Sequence, residues 1–195
     1  MQPLTDLTKG LEVLEPFLTQ CGFRFDNFEN GSGSGGQFTV ATYINVHKKF
    51  IIGYRYSIGE LDYQFDKFKV GHTFYLDHLG CADKKQFPDF QSDDKLIAFK
   101  HILHDLYFLV DDFFVGNCSE LIEASKRQHK FIKEHNEKAQ EECNNQSDKI
   151  IIDRARQKFK DKDYKKTLEL YLTVEHKKLL SEVDKKTIAY CERQI

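Results

Sequence analysis

The chain has 195 residues, with 29 basic and 31 acidic side chains and a hydrophobic fraction of 40%. That length suits one good core, or a core with an accessory module, and the ordinary balance of apolar and charged residues excludes a disordered chain. No apolar run approaches the roughly 18 residues of a membrane span, and Met1-Gln2-Pro3 begins no signal peptide.

Cys21, Cys81, Cys118, Cys143 and Cys191 stand singly, with no CxxC pair and an odd total. This argues for free thiols in a reducing compartment rather than a disulfide framework or a zinc site, and a cytoplasmic protein is expected; no cofactor is expected either. The near-neutral total conceals an asymmetry: residues 1–115 carry 11 basic and 16 acidic side chains, and residues 116–195 carry 18 and 15. Of the 26 Phe and Tyr residues 21 lie in the front part, so the composition changes near Gly116.

In the front part, Leu4, Leu7, Leu11, Leu14, Phe17 and Leu18 keep helical spacing, with Pro16 in the last turn. Cys21-Gly22 ends that helix where a glycine takes the left-handed conformation. Phe23-Arg24-Phe25 alternates like a strand and runs into an expected loop over residues 27–37, which contains Gly31-Ser32-Gly33-Ser34-Gly35-Gly36. Strands are expected over 38–46, 50–57 and 61–65, joined by His47-Lys48-Lys49 and Ile58-Gly59-Glu60, turns short enough for antiparallel hairpins. Residues 71–79 read as a short helix, whose His72 and His78 point to different sides. A loop follows over 81–91, with Phe87 and Phe90 expected against the core.

Ser92-Asp93-Asp94 then opens, and Gly116 closes, a central amphipathic helix over 95–114. Phe99, Ile102, Leu103, Leu106, Leu109, Val110, Phe113 and Phe114 share its broad apolar face. His101, His104, Asp105, Asp111 and Asp112 fall on the other, expected to be solvated. His101 and His104, three apart, are neighbours on a helix, and with Asp105 they form an HxxHD string that becomes a metal site only with a further ligand from elsewhere.

After Gly116 the chain reads as polar helix over 119–143, with a thin stripe of Leu121, Ile122, Ile132 and Ala139. Asn144-Asn145-Gln146-Ser147 is the expected break, and helices follow over 148–160, 164–176 and 178–193. The fold expected is α+β: an N-terminal helix, a small antiparallel meander and a central helix (1–116), then a helical connector (117–147) and an all-helical module (148–195).

Gly31-x-Gly33-x-x-Gly36 matches the dinucleotide fingerprint literally, but it opens a strand where that fold needs a helix N-terminus. No lysine, HRD or DFG string supports a kinase, and no GK[ST] a P-loop. The glycines read as a flexible hairpin loop. Arg55 shares a strand face with Ser57, opposite Tyr54 and Tyr56; with the tyrosines inward it is presented outward, either as a solvated or salt-bridged arginine or as an anchor for a carboxylate or a partner. Acidic residues interleave with the lysines of the back half, so nucleic acid is not the expected partner.

The run from Phe159 through Lys162-Asp163-Tyr164 to Tyr171 resembles the middle of a tetratricopeptide repeat, where a helix turns at an aspartate-tyrosine pair into its partner. Lys162 stands where that family often has glycine and Thr167 where it usually has alanine. The resemblance covers one unit, and a peptide-binding groove needs several.

In size, acidity and layout residues 1–116 are similar to immunity proteins of bacterial polymorphic-toxin systems. That resemblance implies a non-catalytic protein that binds a toxin domain, a basic one steered by the acidic front. Asp93, Asp94, Asp105, Asp111, Asp112 and Arg55 are then the candidate contacts. The alternative is a small metal-dependent enzyme using His101, His104 and Asp105. A third reading is a scaffold or regulatory protein that binds a partner through the C-terminal helices.

Overall fold

The computed structural model describes residues 3–88 and 94–195. Helix α1 (Pro3–Gln20) leads into strands β1 (Arg24–Gly33), β2 (Gly36–Asn45), β3 (Lys48–Tyr54), β4 (Ile58–Phe65) and β5 (Phe68–Gly71). Helices α2 (His72–His78) and α3 (Lys95–Leu106) follow, then a 3-10 turn (Tyr107–Leu109) and a π turn (Val110–Phe114). The remainder is α4 (Ser119–Lys160), α5 (Tyr164–Thr173), a 3-10 turn (Lys177–Leu179) and α6 (Glu182–Glu192). Each strand pairs antiparallel with its successor in a five-stranded meander. The α+β class with a helical C-terminal part stands. No helix among the described residues is long and apolar enough to cross a membrane. The chain divides into two compact units, Met1–Lys130 and Phe131–Ile195, the division falling within α4.

In the first unit one sheet face is buried. Ala41, Tyr43, Phe50, Ile52, Tyr54, Leu61, Tyr63 and Val70 alternate along the strands and meet Leu7, Leu11, Leu14 and Leu18 of α1 and Phe99, Ile102 and Leu106 of α3. Contact between α1 and α3 is close because Gly10 has no side chain: a Cβ there would lie 2.1 Å from the Phe99 ring.

Several expectations change. The glycine-rich stretch is not a loop: β1 and β2 run to Gly33 and Gly36 around a two-residue turn, with Gly36 at φ +96°. The Phe38 ring covers Gly31, lying 2.2 Å from where a Cβ would sit, so alternation on that side is carried by one aromatic. The β3–β4 turn lies earlier than expected, at Arg55–Ser57, where the Arg55 amide donates to the Ser57 carbonyl at 3.0 Å. The short β5 escaped the periodicity reading because four residues hold too few repeats.

The central helix ends at Leu106 and changes pitch twice before Gly116. The carbonyls at the end of the π turn and just beyond it are satisfied from the sheet: Lys48 Nζ donates to the carbonyl of Gly116 at 2.8 Å and to that of Phe114 at 3.4 Å. The expected break at residues 144–147 is absent, and α4 continues through it with Gln140 donating to Asn144 one turn on at 2.9 Å.

In the second unit Ile152 and Ala155 of α4 pack with Tyr171, Val174 and Leu180. Lys162 takes the left-handed conformation at φ 60°, and Asp163 caps α5 by accepting from the Lys166 amide at 3.1 Å.

Candidate functional site

The polar centre of the first unit is built on Asp105. Its side chain is fully buried, in place of the solvated position expected for it. Oδ2 accepts from His72 Nε2 at 3.2 Å and from the Phe87 amide at 2.9 Å. Oδ1 accepts from His104 Nδ1 at 2.9 Å and from the Gln86 amide at 2.8 Å. Burial opposes its ionisation, but the donors from His72, His104, Phe87 and Gln86 outweigh it and hold the carboxyl below the usual carboxylate range.

An ionised carboxylate only accepts, so His72 donates from Nε2, and its Nδ1 is left to receive the Tyr63 hydroxyl at 2.7 Å. Burial, then the charges of Asp105 and Asp62, push the Tyr63 phenol far above its ordinary value, which keeps it a donor. The relay Tyr63–His72–Asp105 joins β4, α2 and α3. Both nitrogens of His72 and both oxygens of Asp105 are occupied within the fold. The relay ties these three elements together.

The HxxHD string therefore takes another form. Asp105 is drawn inward, His104 donates to it while its ring meets Phe108 edge-on at 5.3 Å, and His101 is half-buried on α3. No three His, Cys, Asp or Glu side chains among the described residues are grouped to hold a metal ion.

The candidate contacts also disperse. Asp93 lies outside the described residues. Asp94 caps α3, accepting from the Leu96 amide at 2.9 Å. Asp112 accepts the amides of Glu120 at 3.1 Å and Leu121 at 2.9 Å, and the Tyr75 hydroxyl, so it caps α4 from the preceding turn. Arg55 lies over the Phe38 ring, 5.6 Å from its centroid, and against the β1–β2 turn. Asp111 stays exposed.

The sequence reading passed over a cleft of about 650 Å³ beside the relay. Residues 58–62 of β4 form one wall; Gly71, His72, Thr73, Phe74 and Asp77 form the other, and Phe87, Pro88 and Gln128 close it. Its carboxylates are Glu60, Asp62 and Asp77. Lys69 bridges the first two, at 2.9 Å to Glu60 and 2.7 Å to Asp62, and Lys85 pairs with Asp77 at 2.8 Å. Burial, with the Glu60 carboxyl beside it and Lys69 opposing, pushes Asp62 up to about 6. Spacing alone does not reveal this site, because its two walls meet only through the β5–α2 turn.

No family model, curated protein or solved structure matches the chain.

Proposed function

We propose that the protein is a non-catalytic binding protein whose first unit receives a cationic segment of a protein partner in the cleft between β4 and α2. The observation that carries this reading is the division of labour among its polar groups. Tyr63, His72 and Asp105 are consumed by one another, whereas Glu60, Asp62 and Asp77 line an open cleft with Ile58, Phe74, Phe87 and Pro88 between them. Lys69 and Lys85 are partly exposed pairing partners, and the Lys69–Glu60 pair, nearly half exposed on both sides, is of the kind that exchanges at a cost of about 1 kcal/mol or less. A partner's arginine or lysine replaces them while its apolar neighbours cover the aromatic wall. Inhibition of a basic toxin domain is the narrower form of this function, supported by the size, acidity and α+β layout of the first unit.

The test is an array of short peptides of both charge signs, probed with the wild type and with the triple variant Glu60→Gln, Asp62→Asn, Asp77→Asn. Retention of cationic peptides by the wild type alone is expected. Equal retention by the two proteins, or a preference for acidic peptides, overturns the reading.

A further inference from the structure

Strand β4 is longer than its neighbour on the cleft side. It runs from Ile58 to Phe65, but β5 pairs with it only from Asp62, opposite Gly71, to Phe65, opposite Phe68. At Gly71 the chain leaves the sheet: the Gly71 amide donates to Gln128 Oε1 at 3.1 Å, and α2 begins at His72. Among the described residues no strand continues beside Ile58, Gly59, Glu60 and Leu61 on that side. The cleft lies there, lined by those four residues. It is a place in the sheet that the chain vacates, and an open edge of this kind pairs with an extended segment from elsewhere.

We infer that a partner segment binds in the cleft by strand addition, pairing its backbone with the free edge of β4 at residues 58–61 and setting a cationic side chain beside Glu60 and Asp62. The inference rests on the cleft reading above and adds to it the conformation and pattern of the ligand. Four residues of strand span about 13 Å. Alternate side chains of such a segment point to opposite faces. One set falls on the side of Glu60 and Asp62, which accept cations; the other falls on the side of Leu61, which belongs to the apolar core. The ligand class is therefore an extended peptide alternating basic and β-branched residues.

Gly59 provides a block that does not disturb the fold. It lines the cleft, and a Cβ built on it meets no atom within 4 Å. The probe is fluorescently labelled acetyl-Val-Arg-Val-Arg-Val-amide, followed by polarisation. It is compared with versions N-methylated on either alternate set of amides and with the glutamate analogue. Saturable binding is expected to weaken at least about tenfold in Gly59→Leu, with an unchanged unfolding midpoint, and for one of the two methylated sets.

Full binding by both methylated peptides overturns strand addition. The cleft reading survives that result if Glu60→Gln with Asp62→Asn still weakens the probe. No saturable binding of the arginine peptide, or binding indifferent to both carboxylates, removes the cleft reading and this inference together.

Discussion

Asp105 on α3 accepts a hydrogen bond from His72 at the start of α2, 3.2 Å away and 33 residues apart in the chain. Two backbone amides and a second histidine complete its shell. Asp105→Ala leaves these donors, the buried His72 among them, without their acceptor, and the expected loss of stability is about 3 kcal/mol. Chemical denaturation reads it. The folded-state carboxyl is held below its unfolded value, so this stabilisation is complete above the ordinary carboxylate range and is lost as pH falls through the folded value. The wild type is expected to lose stability in acid more steeply than Asp105→Asn; parallel acid titrations of the two would refute this.

Gly10→Ala tests the contact between α1 and α3. The added carbon would lie 2.1 Å from the Phe99 ring. Overpacking costs about 1–3 kcal/mol, although alanine is the better helix former. Combining it with Phe99→Leu is expected to cost less than the sum of the single changes, measured as a double-mutant cycle. Strict additivity would place the contact elsewhere.

In the second unit Asp184 accepts from Arg156 Nε at 2.9 Å and Nη2 at 2.8 Å, from the Tyr171 hydroxyl at 2.8 Å and from the Ser181 amide at 2.9 Å. Asp184→Ala is expected to destabilise this unit by about 2–4 kcal/mol. Arg156→Ala costs less, because the guanidinium is half exposed. Hydrogen exchange localises the effect: faster exchange is expected over residues 148–192 and unchanged protection in the sheet.

Asp62 carries the opposite sign from Asp105. Its folded-state value is raised to about 6, so the native state holds that proton more tightly than the unfolded chain does. The associated stability is present at acid pH and is lost as pH rises through about 6. Asp62→Asn is therefore expected to gain on the wild type between pH 5 and 7, by roughly 1 kcal/mol once the screened contributions of Glu60 and Lys69 are discounted. The cation binding proposed for the cleft is expected to follow the same titration and to strengthen over that interval. A stability difference independent of pH would show that Asp62 does not titrate there.

Much of the fold was legible because burial imposes a period. The stripe from Leu7 to Leu18 and the alternation through Tyr43, Phe50 and Ile52 each repeat a residue type at the spacing their element requires. Asp163 marked the start of α5 because a cap uses a local side chain. The glycine-rich stretch misled because composition describes what glycine permits, while the strand pairing there comes from β2 alongside. Asp105 misled for a related reason: a carboxylate on a helix opposite an apolar stripe reads as solvated unless its donors are known, and those lie at residues 72, 86 and 87.

The amino-acid order by itself determined the class of fold, many of its elements and most of the buried apolar residues, since each follows from propensity and periodicity within a few turns of chain. Only the tertiary structure decided which carboxylates are structural and which line a cleft. An acidic side chain has no period, and its role depends on which donors distant segments bring to it. The early departure of the chain from the sheet at Gly71 sends His72 inward to Asp105 and leaves the edge of β4 open beside Glu60 and Asp62.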